Sequence, residues 1–187
     1  RNGRQDQGVV ADINASGYQL LADFIAAAPQ SFALLALDNV TTPENVGMII
    51  RSASAGGMDG VVLPDHGCAS LGPLVIKASA GTVFRTRILR CESAAAGLSL
   101  LARAGAEIFA LDAAGETSLL AHQSPPRAVY LMGGEAAGPG RDAASFCAQR
   151  LSIPMANGVE SLNVAVSAAL VAYRRQLSSG LPVDKNG

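Results

Sequence analysis

The chain has 187 residues, 49% apolar and 16% charged, with 14 Lys and Arg against 15 Asp and Glu for a net charge of −1. That length suits one domain with a substantial core, and the near-neutral balance argues against a surface given over to nonspecific nucleic-acid binding. No apolar run reaches the ~18 residues of a membrane span, no basic-led apolar leader opens the chain, and three cysteines without CxxC spacing build no disulfide framework.

In chain order, the pattern predicts a helix over Tyr18–Ala27, a strand over Ala33–Leu37 and a helix over Pro43–Ala55. Thr42 is placed to cap that helix, and Pro43 loses nothing at a first helical position, where its missing N–H has no intrahelical partner. A strand over Val61–Leu63, a helix over Leu71–Ala80, a strand over Val83–Leu89 and a helix over Ser93–Ala104 follow. Strands over Ile108–Leu111 and Val129–Met132, a helix over Arg141–Ala148 and a strand over Leu151–Ile153 lead to a last helix, Leu162–Gln176, capped by Ser161. Short, continuously apolar strands alternating with helices predict an α/β fold with a mainly parallel sheet flanked by helices. The last helix is apolar nearly all round through Val171, which buries it against the core or a partner subunit. The tail 178–187 should be loose. The chain opens on Arg1 rather than methionine, so we expect sequence upstream of it.

Three blocks place glycines or polar groups at element boundaries, where α/β enzymes build sites. Gly133–Gly140 is a glycine-rich loop after a strand, yet it fits neither phosphate template. A P-loop needs Lys and Ser/Thr where Pro139 and Gly140 stand, and Gly133–Gly138 does not spell G-x-G-x-x-G. Glu135 within it would repel a pyrophosphate and suits a ligand with a positive centre; a plain surface turn is the alternative. Asn45 and Arg51 differ by about 120° around their helix. Arg51, flanked by apolar and small residues, is either half-buried with a partner or aimed into a cleft, with an ordinary salt bridge as the plainer alternative. Ile153-Pro154-Met155 ends a strand in a loop whose walls, Ile153, Met155 and Leu162, can enclose a flat apolar ring. Between Asn45 and Cys91, Arg51, Lys77, Arg85, Arg87 and Arg90 outnumber Asp59 and Asp65, either as solvated charges or as a phosphate-facing patch. His66 and Cys68 find no third and fourth ligand nearby, so no metal is expected. The thiols should be reduced, in a cytoplasmic protein.

Together these blocks resemble the three motifs of the SpoU (TrmH-type) RNA 2′-O-ribose methyltransferase family of the SPOUT superfamily. N-x-G-x-x-x-R is met by Asn45, Gly47 and Arg51; G-x-E-x-x-G by Gly133, Glu135 and Gly138; I-P-M then S-L-N-V by Ile153–Met155 and Ser161–Val164. Lys77–Gly81 and Gly115-Glu116-Thr117 also look like family segments. Ala136 stands where the family usually has glycine, Ala165 where serine is common, and Asp6-Gln7-Gly8-Val9 resembles a His-Gln-Gly-Val stretch with Asp6 replacing the histidine.

The resemblance implies a SPOUT-type trefoil-knot fold with a deep C-terminal knot, although true knots are very rare in general. It implies S-adenosyl-L-methionine as cofactor, held by Leu111, Gly133, Gly138, Ile153, Met155 and Leu162, and methyl transfer to a ribose 2′-hydroxyl of rRNA or tRNA. Asn45, Arg51, Glu135, Ser161 and Asn163 would be the catalytic residues, in a homodimer whose active site is completed near the subunit interface. On this reading residues 1–30 are an N-terminal segment and first helix ending a linker from a recognition domain, 31–177 are the methyltransferase domain, and 178–187 are the tail. A second reading is a catalytically silent RNA- or cofactor-binding module; a third, an ordinary Rossmann enzyme, conflicts with the failed fingerprint.

Overall fold

The computed structural model describes residues 18–134 and 138–179. In chain order the elements are β1 (Tyr18–Leu20), α1 (Leu21–Ala26), β2 (Phe32–Asp38), α2 (Pro43–Ala55), β3 (Gly60–Pro64), α3 (Pro73–Ala78), a 3₁₀ turn (Thr82–Phe84), β4 (Ile88–Cys91), α4 (Ala94–Arg103), β5 (Glu107–Leu111), β6 (Thr117–Ser118), β7 (Arg127–Gly133), α5 (Arg141–Ala144), β8 (Gln149–Ser152) and α6 (Val164–Ser179). Among the described residues one eight-stranded sheet runs β1-β4-β3-β2-β7-β5-β8-β6, and every neighbouring pair is parallel.

The central strands are apolar throughout because both faces are covered. Ala33, Leu35 and Leu37 of β2 face α2, α3 and α6, together with Tyr130 and Met132 of β7. Phe32, Leu34 and Ala36 face the other way, onto α1 and α4, with Val129 and Leu131. On α6, Val164, Ala165, Ala168, Val171 and Ala172 make the buried stripe, while Val166, Leu170, Tyr173 and Leu177 are exposed. The last helix thus buries one apolar stripe against the core and leaves a second apolar stripe exposed on this chain. Its contact with α2 is tight: a Cβ on Gly56 would lie 2.5 Å from Cβ of Ala172. Among the described residues no helix is long and apolar enough to cross a membrane.

Several elements depart from expectation. The segment expected to begin the first helix starts as a strand, with Tyr18, Gln19 and Leu20 pairing in register with Ile88, Leu89 and Arg90 at the sheet edge. Val83 and Phe84 lie in a 3₁₀ turn instead of opening β4. Hydroxyls hold that turn: Thr82 Oγ1 donates to the Ser79 carbonyl and Thr86 Oγ1 to the Thr82 carbonyl, both at 2.8 Å. The expected helix 141–148 stops at Ala144, because the Ala148 N–H is drawn to the Ile108 carbonyl as the chain enters the sheet. The two-residue strand β6 has too short a pattern to read. Thr42 sits at the N-cap of α2 but makes no side-chain capping bond. α6 begins at Val164, so Ser161 is not its cap; Asn163 is, with Oδ1 accepting the Ala165 N–H at 2.8 Å.

Candidate functional site

The C-terminal ends of β5, β7 and β8 open into a cavity of about 780 Å³. This is where ligands bind in open parallel α/β sheets. Three loops wall it, each leaving one of those strands. From β5 come Leu111 and Asp112; from β7, Gly133, Gly134, Gly138 and Pro139; from the chain after β8, Ile153, Met155, Ser161, Leu162 and Asn163. All six residues assigned to cofactor binding (Leu111, Gly133, Gly138, Ile153, Met155 and Leu162) border this one space, and Leu111, Ile153, Met155 and Leu162 are half-buried apolar walls.

The glycine loop is folded back on itself. The Gly138 N–H donates to the Gly134 carbonyl at 2.9 Å, and Gly138 takes a left-handed backbone at φ 64°. A Cβ on Gly133 would collide with the backbone of Gly138 and Pro139, so this position admits only glycine. Glu135 lies outside the described residues, as do Ala136, the Asp6–Val9 stretch and residues 180–187.

Of the assigned catalytic residues, Ser161 and Asn163 line the cavity. Asn45 reaches it indirectly: the Asn163 Nδ2 amide donates to Asn45 Oδ1 at 3.0 Å, across 118 residues of sequence. Asn45 is 5% exposed in the first turn of α2, so this amide pair ties the first motif block to the third at the cavity margin. Arg51 is not among the cavity residues. It is exposed, and among the described residues it has no ion pair or hydrogen bond.

The glycine of the first block has a packing role. A Cβ on Gly47 would lie 2.6 Å from Ala78 Cβ and 2.7 Å from the Val75 carbonyl, so α2 and α3 touch backbone to backbone there. Arg51 is one turn further, about 40° around from Gly47, and so emerges along the α2–α3 seam. Two of the five basic residues in this region are engaged. Arg90 pairs with Asp65 at 2.5 Å and sits over the Tyr18 ring, a contact that raises its already high pKa. Arg87 donates to the Asp59 carbonyl and covers Phe24. Arg51, Lys77 and Arg85 remain exposed, with no hydrogen bond or ion pair among the described residues. They lie on α2, on α3 and just after the 3₁₀ turn packed against α2.

Three polar groups at the cavity were not singled out from sequence. Asp112 follows β5 directly, a strand-end position that could have marked it, and it pairs with Arg150 at 3.2 Å. Arg141 opens α5 beside the loop. The thiols are unreactive in character: burial raises Cys68 and pushes Cys91 to about 12 and Cys147 to about 11.

Residues 33–173 match the model of the SpoU rRNA Methylase family. A Mycolicibacterium gilvum protein named as an uncharacterized tRNA/rRNA methyltransferase is 35% identical over 179 residues, 92% of this chain and 57% of that protein. The chain thus spans a little over half the length of the curated relatives it matches. An S-adenosylmethionine-bound rRNA methyltransferase from Sinorhizobium meliloti superposes with a TM-score of 0.77 at 28% identity, over 86% of this chain and 60% of its own. A structure described for the 2-OH methylation of C/U34 on tRNA gives 0.72 at 29% identity, over 81% of this chain and 99% of its own.

Proposed function

Because the chain belongs to the SpoU rRNA Methylase family, we propose that it is an S-adenosylmethionine-dependent enzyme that methylates a ribose 2′-hydroxyl of tRNA or rRNA. The observation that carries this reading is the convergence of the motif blocks on one cavity, with the Asn163–Asn45 amide pair closing the distance between first and third. The residues present suit the cofactor. Leu111, Ile153, Met155 and Leu162 offer apolar walls to a flat purine, and the loops offer backbone donors and acceptors around it. When bound, the cofactor supplies an already activated methyl group.

The work left to this chain is therefore orientation of the hydroxyl in line with that methyl, exclusion of competing water and help with one proton. An arginine holds its protons far above neutral pH, so Arg51 is a poor base. Its part is to grip the phosphate beside the target ribose and aim the hydroxyl, as a planar fork of donors does well. On this reading Glu135, Ser161 and Asn163 help orient Arg51 and the substrate, and Asn45 fixes Asn163. Lys77 and Arg85 extend the contact along the RNA backbone, since exposed cations on neighbouring packed elements complement a line of phosphates.

The exposed α6 stripe Val166, Leu170, Tyr173 and Leu177 is an apolar surface suited to a second copy of the chain, and on this reading the active site is completed near the interface of a homodimer. Threading of the C-terminal segment into a knot is supported by the placement of β8 between β5 and β6. The 112–116 connection crosses β8 so closely that a Cβ on Gly115 would lie 2.7 Å from the Leu151 carbonyl carbon. On this reading the enzyme acts in the cytoplasm, where its thiols stay reduced.

Labelled methyl transfer to purified tRNA and rRNA, with nucleoside mass spectrometry of the product, tests the reading. A 2′-O-methyl nucleoside is the expected product. A base-methylated product would overturn ribose specificity, and cofactor binding without transfer to either RNA would favour the silent module.

A further inference from the structure

We propose that Asp38 and Asn39, at the end of β2, form a clamp that shapes the glycine loop of the cofactor cavity, with Asp38 as a positioning residue for cofactor binding. Neither residue lines the cavity, and the inference rests on the cofactor reading above.

The clamp begins with strand register. Asp38 is the last residue of β2 and lies opposite Gly133, the last residue of β7, so the two strands end together and their loops leave side by side. Asn39 then turns left-handed at φ 57°, a conformation that asparagine tolerates better than other side-chain-bearing residues. That turn brings the Asn39 carbonyl oxygen so close to Gly134 that a Cβ there would collide with it. The start of the loop is thereby held against β2.

Its end is held by the neighbouring residue. Asp38 Oδ2 accepts the Gly140 N–H at 2.7 Å, across 102 residues of sequence. Gly140 is the N-cap of α5 and immediately precedes Arg141, which borders the cavity. Between the two grips, the Gly138 N–H closes onto the Gly134 carbonyl at 2.9 Å. One dipeptide thus pins both ends of the segment carrying Gly133, Gly134, Gly138 and Pro139, all of which wall the cavity. A glycine-rich segment loses much conformational entropy when ordered. Held by β2, Gly133, Gly134, Gly138 and Gly140 meet the cofactor already in place, and the cost of ordering them does not fall on binding.

Asp38→Ala removes the acceptor, and Gly140→Pro removes the donor at a backbone, φ −62° and ψ 153°, that proline can adopt, its ring displacing the Asp38 carboxylate from the loop. Calorimetry with S-adenosylmethionine and S-adenosylhomocysteine should show each variant binding roughly ten- to hundredfold more weakly, the loss of one charge-assisted bond. The double variant should be no worse than either single one, because both remove the same contact. Asp38→Asn keeps an oxygen facing Gly140 and should recover most of the affinity. KM for RNA should stay near wild type in all of them, and melting temperature should fall by no more than the few degrees that one lost bond costs.

Wild-type affinity in both Asp38→Ala and Gly140→Pro would overturn the clamp. So would an Asp38→Asn variant as impaired as Asp38→Ala, with melting temperature falling further than one lost bond explains and RNA KM rising in step, since Asp38 would then serve the fold alone. Should Asp38→Ala not fold, Gly140→Pro and Asp38→Asn decide on the same criteria. Absence of cofactor binding by the wild type is a separate result, and it would overturn the proposed function together with the clamp.

Discussion

Replacing Asn163 by alanine should cost the fold about twice what replacing it by serine costs, because the one amide does two jobs. Its Oδ1 caps α6 through the Ala165 N–H at 2.8 Å, and its Nδ2 reaches buried Asn45 at 3.0 Å. Losing an N-cap costs about 1 kcal/mol, and losing a neutral hydrogen bond to a buried partner costs about 1 kcal/mol more. Asn163→Ala should therefore lose about 2 kcal/mol, which for a domain of this size lowers the melting temperature by roughly 4–8 °C. Serine can still cap but cannot reach Asn45, so Asn163→Ser should lose about 1 kcal/mol. Ser161→Ala is the control: Ser161 is exposed and caps nothing, so it should stay within about 0.5 kcal/mol of wild type. Urea denaturation of the three variants, analysed at constant m-value, measures each difference. If Ser161→Ala proved the costly change and Asn163→Ala were neutral, the assignment of the cap and of the link between the motif blocks would be wrong.

Arg51→Ala should abolish methyl transfer while leaving cofactor affinity and melting temperature near wild type, since Arg51 neither lines the cavity nor holds a partner among the described residues; parallel loss of all three would make it a packing residue. Lys77→Gln and Arg85→Gln should each weaken RNA binding and lower the slope of log affinity against log salt by about 0.7–0.9, with cofactor affinity unchanged, as read by filter binding at several salt concentrations. His122 packs against the Phe109 ring at 4.4 Å, and its Nε2 has no hydrogen-bond partner among the described residues. Burial first, and then Arg174, lower its pKa, so its contribution is complete above the unfolded value of about 6.5 and is lost as pH falls through the folded value. Urea midpoints should thus fall between pH 7 and pH 5, and His122→Phe should flatten that dependence; an unchanged slope in the variant would assign the effect to other groups.

The sequence by itself determined the fold class and the interior of most elements, because these depend on local pattern. Continuous apolar runs such as Ala33–Leu37 signal strands covered on both faces, and Pro43–Ala55 is the helix that its cap position and N1 proline indicate. The motif residues were legible for the same reason, as short strings at strand and helix ends. What only the tertiary structure decided depends on groups distant in the chain. Strand order set which loops share the cavity, and register brought Asp38 opposite Gly133. Edge pairing with β4 outweighed the helical pattern at Tyr18–Leu20. The capping role passed from Ser161 to Asn163 because α6 starts only at Val164, where the Asn163 amide also meets an asparagine 118 residues earlier in the chain. Gly47 read as part of a catalytic string, yet its use is to let α3 approach α2, and no local pattern contains the helix it touches. Hydrogen bonds and steric exclusions between remote segments are fixed only when the chain has closed on itself.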